Sequence, residues 1–148
     1  MIEVPAAAIM IDQFLEEVDF VSLGTNDLTQ YVMAADRGNA NLATYTDNWQ
    51  PAVLTLINQV AQAGVRHGKP VGVCGEAAAD PNLAAVLIGM GVTSLSMAPG
   101  AIAYVGSRLS EVTLQQCREA AEAVLHAPDP IKARQTAIAL LQGKGTSA

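Results

Sequence analysis

The sequence predicts an α/β fold in which short parallel strands alternate with longer helices. Two observations carry this prediction. Short apolar segments recur between longer stretches whose apolar residues follow the helical period of about 3.6 residues. The apolar segments are also continuous rather than alternating, which is typical of a parallel sheet covered on both faces. With 148 residues, of which 51% are hydrophobic, the chain is large enough to bury the core of one domain.

Four segments have the length and composition of buried strands, and each is closed by Gly, Pro or a polar turn. Because helical stretches separate them, the strands are expected to pair in parallel, with their carboxyl ends at one edge of the sheet. The predicted strands cover residues 1–4, 20–24, 70–74 and 93–97.

Helices are predicted between and after these strands. Pro51 begins the longest, which ends before Gly68, and Asp80 caps the helix over residues 81–90. The other predicted helices cover residues 6–17, 28–35, 101–109, 114–126 and 130–141, and a frayed tail covers 142–148. The first of them is expected to pack through an apolar face made of Ile9, Met10, Phe14 and Leu15.

This order of elements has two common solutions, an open doubly wound sheet and a (β/α)8 barrel. A complete barrel needs eight strands and about 250 residues, whereas four strands are predicted here. The chain also opens directly in a strand, which indicates a segment of a larger domain. Such a segment would have open edges at residues 1–4 and 93–97, where unpaired backbone invites association.

Composition argues against several classes of function. The 14 acidic and 8 basic residues give a net charge of −6, which disfavours binding to a nucleic-acid backbone. No apolar run approaches the roughly 20 residues that span a bilayer, and no secretory signal is visible. Cys74 and Cys117 are too far apart for a metal-binding pair, so a reducing, cytoplasmic location is the simplest expectation.

Two carboxylates stand at neighbouring strand ends, where parallel α/β folds carry their chemistry. Glu3 belongs to the first strand and Asp27 follows the second. Together they could bind Mg²⁺, which prefers one or two carboxylates with water and substrate oxygens. In the alternative, Glu3 pairs with a helix terminus and Asp27 caps the helix that follows it.

Asn26 and Arg37 are candidates for binding a phosphate. Arg37 follows the short helix over 28–35. A longer helix, over 51–67, comes before the next strand and is the better candidate for the outer layer, so the short helix is expected to lie above the sheet. This placement allows Arg37 to turn back toward the strand ends, where a planar guanidinium suits a phosphate. In the alternative, Arg37 is a surface residue paired with Asp36.

Cys74 ends the third strand between Gly72 and Gly75, which allow a ligand to approach closely, and Glu76 could orient the site. A thiol is mostly protonated at neutral pH, so Cys74 suits a proton donor as well as a nucleophile. Small buried thiols also serve simply to fill a core, and this alternative is equally supported.

The remaining reactive side chains have structural interpretations. His67 and His126 each lie at a helix end, where they would interact with the helix dipole, and Cys117 is interpreted as structural. No Ser/His/Asp constellation, P-loop or Gly-rich dinucleotide motif is present.

Five segments occur in the order that a known family has. They read Met-Ile-Glu-Val-Pro-Ala-Ala from residue 1, Leu-Gly-Thr-Asn-Asp-Leu-Thr-Gln-Tyr from residue 23, Ala-Asp-Arg-Gly-Asn from residue 35, Val-Cys-Gly-Glu from residue 73 and Leu-Ser-Met from residue 95. Together they resemble the phosphoenolpyruvate-utilising enzymes, and most closely the C-terminal domain of enzyme I of the bacterial sugar phosphotransferase system.

The resemblance implies the second half, about strands five to eight, of a (β/α)8 barrel over residues 1–109, with extra helices over 110–141. It implies an Mg²⁺-dependent transfer of the phosphoryl group of phosphoenolpyruvate to a histidine on a domain outside this chain, with release of pyruvate. The phosphocarrier histidine protein of sugar uptake would be a partner through that domain. A homodimer or other self-association is also expected.

The resemblance assigns a role to each candidate residue. Glu3 and Asp27 would hold the metal, Asn26, Asp27 and Arg37 would bind the substrate, and Cys74 would protonate the enolate carbon. Half of the barrel and the phosphohistidine domain are missing, so the chain alone is expected to be inactive. The alternatives are a fragment of pyruvate phosphate dikinase or phosphoenolpyruvate synthase, and a non-catalytic dimerisation module.

Overall fold

The computed structural model describes residues 1–143, which form a small parallel sheet packed against helices. Three strands, β1 (Val21–Gly24), β2 (Val71–Cys74) and β3 (Ser94–Ser96), lie in the order β1-β2-β3. Within the sheet, Ser22 stands opposite Gly72, and Gly72 opposite Ser94. The predicted α/β class is confirmed, with strands at three of the four predicted places.

The predicted strand over residues 1–4 is wrong in extent. Only Ile2 pairs with the sheet, through an isolated parallel bridge to Leu23. The Ile2 N–H donates to Ser22 O at 2.8 Å, and Gly24 N–H donates to Ile2 O at 2.9 Å. Pro5 then begins a helix at once, and proline has no N–H with which to continue a ladder.

The helices follow the predicted order with three differences. The stretch over 6–17 divides at Met10 into two helices, the helix after β1 begins directly at Thr25, and an unpredicted short helix follows β2. Of the predicted tail, residues 144–148 lie outside the described residues. The bounds are α1 Pro5–Ile9, α2 Ile11–Glu17, α3 Thr25–Val32, α4 Pro51–His67, α5 Glu76–Ala79, α6 Pro81–Gly89, α7 Pro99–Ser110, α8 Leu114–Leu125 and α9 Pro130–Leu141, with a 3₁₀ turn at Ala40–Leu42.

The predicted ends of α4 and the start of α6 are confirmed. Pro51 occupies the first turn of α4, and Gly68 ends the helix in the left-handed conformation with φ of 64°. The Asp80 carboxylate accepts hydrogen bonds from the N–H groups of Asn82 and Leu83 at 3.0 and 3.2 Å, as expected of an N-cap.

The apolar face predicted for residues 6–17 is largely wrong. α1 and α2 pack on α4, and the side chains they bury completely are Ala8, Ile11 and Leu15. Of the predicted set, only Leu15 is buried; Ile9, Met10 and Phe14 are 60%, 47% and 46% exposed. The N-terminal helices therefore present an apolar surface outward.

The sheet is buried on one face, which corrects the prediction of a sheet covered on both. Val21, Leu23, Val71 and Val73 face the helices and are at most 6% exposed. The other face carries small, partly or fully exposed residues: Ser22, Gly72, Cys74, Ser94 and Ser96. A Cβ on Gly72 would lie 2.8 Å from Ser94 Oγ and 3.6 Å from Ser22 Oγ, so these three residues share that face.

The C-terminal helices complete the core behind α6. A Cβ on Gly89 would lie only 2.0 Å from Cys117 O, so α6 and α8 meet backbone to backbone there. Cys117 is buried, and burial raises the pKa of its thiol despite the nearby charge of Arg108, which suits the structural role predicted for it. Within residues 1–143, no helix combines the length and the apolar character that crossing a membrane requires.

Asp80 joins the start of α6 to the loop before α4 and to α9. Trp49 Nε1–H donates to Asp80 Oδ2 at 3.0 Å, and Arg134 Nη2 donates to the same oxygen at 2.9 Å. The guanidinium of Arg134 also lies 5.7 Å from the centre of the buried Trp49 ring. Burial acts to raise the pKa of Asp80, but these bonds and the two backbone N–H donors outweigh it and lower the pKa.

Replacing Asp80 with Asn should therefore reduce stability and remove an acid-sensitive contribution. Because the pKa of Asp80 is lower in the folded chain than in the unfolded chain, its ionised carboxylate stabilises the fold. This contribution is complete above the pKa in the unfolded chain, near 4, and is lost as the pH falls through the pKa in the folded chain. At neutral pH we expect Asp80→Asn to lower the free energy of unfolding by about 1–3 kcal/mol. Urea unfolding between about pH 3 and 7 measures this, with the exposed Asp19→Asn as control. Equal pH slopes for wild type and Asp80→Asn would contradict the assignment.

Candidate functional site

The structure brings all five predicted site residues to one pocket. It has a volume of about 220 Å³, lies at the carboxyl edge of β1 and β2, and is called here the carboxylate pocket. Residues of four different segments line it, including the bridge segment before α1, the start of α3, the loop after α3 and the end of β2. The predicted residues among them are Glu3, Asn26, Asp27, Arg37 and Cys74.

The two carboxylates enter the pocket from different segments. The Glu3 side chain crosses directly over Gly24, where an added Cβ would lie 2.7 Å from Glu3 Cγ and 2.9 Å from Glu3 Oε1. Gly24 is thus required for Glu3 to reach the pocket. Asp27 lies in the first turn of α3, which has no side-chain cap. Neither residue takes part in the five ion pairs found in residues 1–143.

This donor set fits a hard divalent cation. Two carboxylates on one pocket, with the remaining positions open to water and ligand oxygens, match the preference of Mg²⁺. No group of three or more His, Cys, Asp or Glu side chains suited to a metal occurs among residues 1–143. A zinc-type site built entirely from protein ligands is therefore not found in this part of the chain.

Asn26 is fixed by the turn that follows β2. The Glu76 N–H donates to Asn26 Oδ1 at 3.3 Å, which leaves the Asn26 amide nitrogen as a donor. Gly75 between them has φ of 102°, and an added Cβ there would lie 2.8 Å from Thr25 Oγ1 and 3.1 Å from Asn26 Oδ1. Glycine is needed at residue 75 for both reasons.

Arg37 lines the pocket together with the carboxylates of Glu3 and Asp27 but forms no direct ion pair within residues 1–143. None of the ion pairs in the described part of the chain includes it, so the alternative pairing with Asp36 is not formed. Asp36 instead accepts a hydrogen bond from Gly38 N–H at 2.8 Å. The backbone N–H of Arg37 donates to Gln30 Oε1 at 3.2 Å, which ties the loop back to α3.

Cys74 lies on the open face of the sheet rather than in the core. Its thiol donates to Leu23 O at 3.3 Å and accepts a hydrogen bond from Ser22 Oγ at 3.8 Å. Thr25 Oγ1 donates to Cys74 O at 3.0 Å and anchors the end of the strand. A free, partly exposed thiol in a pocket favours a chemical role over core filling.

A second cavity adjoins the carboxylate pocket and was not predicted as a unit. Its volume is about 250 Å³, and we call it the polar cavity because all its lining residues are polar: Asn26, Thr29, Arg37, Thr46, Asn48 and Glu76. Thr29 is 2% exposed, and its hydroxyl has no hydrogen-bond partner among residues 1–143. The sequence analysis had singled out Asn26, Arg37 and Glu76, whereas Thr29, Thr46 and Asn48 were missed.

The two histidines lie outside both cavities. His67 Nε2 is 2.9 Å from Asp12 Oδ1, which Arg66 also contacts at 3.0 Å. These bonds from His67 and Arg66 lower the pKa of Asp12. His126 Nε2 lies 3.3 Å from Glu122 Oε1. Both histidines therefore have structural partners, in keeping with their interpretation from the sequence.

Comparison with known proteins gives one consistent result. Residues 1–114 match the sequence profile described as "PEP-utilising enzyme, PEP-binding domain". The chain is 50% identical over 144 residues to a phosphoenolpyruvate-protein phosphotransferase of Streptomyces coelicolor, covering 97% of this chain and 26% of that protein.

Two further relatives extend the comparison. A phosphoenolpyruvate-protein phosphotransferase of Haloferax volcanii is 46% identical over 127 residues, which is 86% of this chain and 22% of the relative. A multiphosphoryl transfer protein of Xanthomonas campestris is 47% identical over 125 residues, which is 84% of this chain and 15% of the relative. The chain thus spans about a quarter or less of the length of these relatives.

Proposed function

Because this chain belongs to the family of PEP-utilising enzymes through their PEP-binding domain, we propose that it carries half of a phosphoenolpyruvate site of the enzyme I type. One observation carries the proposal: the five residues that the resemblance assigns to the site line a single pocket. The reaction moves the phosphoryl group of phosphoenolpyruvate to a histidine outside this chain and releases pyruvate. The phosphotransferase names of the relatives favour this reaction over that of a dikinase or synthase.

The proposed architecture is the second half of a (β/α)8 barrel over residues 1–109, with the helices over 110–141 in the same domain. The small polar face formed by Ser22, Gly72 and Ser94 supports this, because a barrel interior faces away from the surrounding helices. The bridge segment and β3 lie at the two edges of the sheet. Strands of the other half would pair there.

Asn26 and Arg37 are the residues that bind the phosphoryl group in this proposal. The Glu76 N–H donates to Asn26 Oδ1, and the amide nitrogen of Asn26 remains as a donor for the phosphoryl group. Arg37 brings a positive charge that is held in no direct ion pair of the described residues, and its planar donors match phosphate oxygens. Glu3 and Asp27 would hold Mg²⁺, which neutralises negative charge on the substrate when bound. In this assignment the protein residues position the substrate and stabilise its charge, and these are the two contributions that phosphoryl transfer chiefly requires.

Cys74 supplies the proton that completes the reaction. When the phosphoryl group leaves, the remaining enolate must be protonated on carbon to become pyruvate. Cys74 ends the central strand beside the carboxylates, and Ser22 and Leu23 hold its sulphur by hydrogen bonds. A protonated thiol in this position is a suitable general acid.

The partners follow from the same assignment. A phosphocarrier histidine protein would receive the phosphoryl group through the domain that carries the acceptor histidine. A homodimer or other self-association would cover the apolar surface of α1 and α2, where Met10 and Phe14 line an open groove of about 500 Å³. A cytoplasmic location is part of the proposal, supported by the free thiols of Cys74 and Cys117.

The proposed function predicts that Glu3 and Asp27 bind Mg²⁺ or Mn²⁺. In titration calorimetry, the double variant Glu3→Ala, Asp27→Ala should weaken metal binding by more than the roughly 10–100-fold that outer-shell changes cost. The control is Glu16→Ala, Asp19→Ala, which removes the same charge from exposed positions. Unchanged metal affinity in the Glu3, Asp27 variant would remove the metal site from the proposal.

A further inference from the structure

The loop over residues 36–50 supplies side chains to both cavities of the candidate site. Arg37 lines the carboxylate pocket and the polar cavity, and Thr46 and Asn48 line the polar cavity. Apart from a short 3₁₀ turn at Ala40–Leu42, the loop contains no helix or strand. Because regular backbone hydrogen bonding does not set the position of these side chains, the contacts of the loop with its neighbours decide where they lie.

Two hydrogen bonds within residues 1–143 connect this loop to elements other than α4, into which it leads. At its start, the Arg37 N–H donates to Gln30 Oε1 at 3.2 Å, in a bond that is exposed to solvent. At its end, Trp49 Nε1–H donates to Asp80 Oδ2 at 3.0 Å. The Trp49 ring is also buried in the core. A buried indole whose N–H has a partner is a rigid anchor, so Trp49 is the main attachment of the loop.

The attachment at Trp49 extends to the residues that line the polar cavity. The backbone N–H of Trp49 donates to Asp47 Oδ1 at 2.8 Å, which joins the chain on the two sides of Asn48. Arg37 lies at the other end of the loop but lines the same cavity as Asn48, so the two ends of the loop come together there. A displacement of Trp49 would therefore change the surroundings of Arg37.

Asp80 connects this attachment to the C-terminal helices. One carboxylate oxygen of Asp80 caps α6, and the other accepts from both Trp49 and Arg134. Arg134 is the ion-pair partner of Asp80 in the described part of the chain, and its guanidinium lies 5.7 Å from the centre of the Trp49 ring. Without Arg134 the charge of the mostly buried Asp80 would attract water, which would compete with the indole N–H.

We propose that Trp49, Asp80 and Arg134 are positioning residues for the phosphoenolpyruvate site, and that through them α9 holds the loop that carries Arg37 and Asn48. This inference rests on the proposed function and adds to it three residues that line neither cavity. Arg134 also lies outside residues 1–114, which match the profile of the PEP-binding domain. The C-terminal helices would thus contribute to the site from beyond the region that this profile covers.

Two single substitutions interrupt the contacts at their two ends. Trp49→Phe removes the indole N–H but keeps an aromatic ring in the core. Arg134→Gln removes the charge and leaves the packing of α9 in place, because Arg134 is mostly exposed and the buried side chains of that helix are others. The matched control is Lys132→Gln, which removes a charge from an exposed position of the same helix. Lys132 forms no ion pair within residues 1–143.

Steady-state kinetics measure the positioning effect in a chimera in which this chain replaces the matching segment of the Streptomyces coelicolor relative. Trp49→Phe and Arg134→Gln should each raise KM for phosphoenolpyruvate about three- to thirtyfold and leave kcat within about twofold. A displaced Arg37 weakens substrate binding, whereas a loss of folded enzyme would lower kcat and leave KM unchanged. Lys132→Gln should leave both constants within about twofold of the wild type.

The link between α9 and the loop can also be followed in the 148-residue chain without substrate. Trp49 is the only tryptophan of the chain, so its indole N–H gives a single NMR signal. Arg134→Gln should shift this signal and the backbone amide signal of Asn48, and Lys132→Gln should leave both unchanged. If neither signal moves in Arg134→Gln, the link between α9 and the loop is overturned.

The outcomes separate this inference from the function on which it rests. If the wild-type chimera forms no pyruvate, both proposals are overturned. If it forms pyruvate and KM stays within about twofold of the wild type in the variants that fold, or only kcat falls, the positioning role is overturned and the proposed function stands. Because Arg134→Gln alone can give each of these results, the inference stays testable even if Trp49→Phe does not fold.

Discussion

Replacing Cys74 with alanine is expected to slow pyruvate formation about 10²–10⁴-fold and to leave the affinity for phosphoenolpyruvate nearly unchanged. The thiol lies on the open face of the sheet. In the proposed reaction it would donate its proton only after the phosphoryl group has left, so its loss should affect the rate more than binding. The assay requires the acceptor histidine. It is therefore run on a chimera in which this chain replaces the segment of the Streptomyces coelicolor relative that it matches.

Cys117→Ala is the matched control for this experiment. Cys117 is also a free cysteine, but it is buried between α6 and α8 and lines neither cavity. Its replacement should leave the rate within about twofold, because volume changes at a structural site act on stability first. Near-normal turnover in Cys74→Ala would rule out Cys74 as the proton donor.

The 148-residue chain alone is expected to release no pyruvate from phosphoenolpyruvate. Neither of its histidines can serve as acceptor, because His67 is bonded to Asp12 and His126 to Glu122, away from both cavities. A coupled pyruvate assay checks this. Metal-dependent release that disappears on Cys74→Ala would show that the chain is active without its acceptor domain.

Elements with strong local signals were predicted well. α4 runs from Pro51 to His67 as predicted because proline fixes its first turn and Gly68 adopts the left-handed conformation that ends it. Asp80 was identified as an N-cap from its position before Pro81. Such signals depend on a few neighbouring residues, so they can be recognised without tertiary information.

The errors arose where packing decides the outcome. The strand Val71–Cys74 appeared uniformly apolar because Gly72 and Cys74 were counted with the buried residues, and in Val21–Gly24 the single polar residue, Ser22, was given no weight. The open face of the sheet was consequently missed. At Met10 the chain leaves the helix with ψ of 24° although no Gly or Pro stands there, so nothing in the sequence marks the division between α1 and α2.

The site was predicted at its strand ends and at Arg37, but not in the loop before α4. Residues at the ends of β1 and β2 converge because parallel strands bring their carboxyl ends to one edge. Thr46 and Asn48 belong to the loop before α4, which has no periodic pattern and is positioned by contacts far along the chain. Trp49 beside them is anchored to Asp80, a contact that only the folded chain reveals. The polar cavity was missed for this reason.

The chain alone is expected to self-associate in solution. Among residues 1–143, the apolar groove of α1 and α2, the open face of the sheet and the unpaired side of β3 all lie on the surface. The groove is a concentrated apolar surface, and the sheet edge offers backbone groups that are unpaired within residues 1–143. Both features are uncommon on a stable monomer, and a stable dimer would bury about 1,200–2,000 Å² in total. Light scattering should therefore give at least twice the monomer mass of 15.4 kDa.

Phe14→Glu tests whether the groove forms the contact. A charge placed in an apolar interface should weaken association at least about tenfold, since desolvating an unpaired carboxylate costs more than 1.4 kcal/mol. The control is Ile131→Glu on α9, where the replaced side chain is even more exposed, at 63% against 46% for Phe14. If both variants associate like the wild type, the contact lies at the open sheet edges instead. A monomeric, well-folded wild-type chain in dilute solution would contradict self-association altogether.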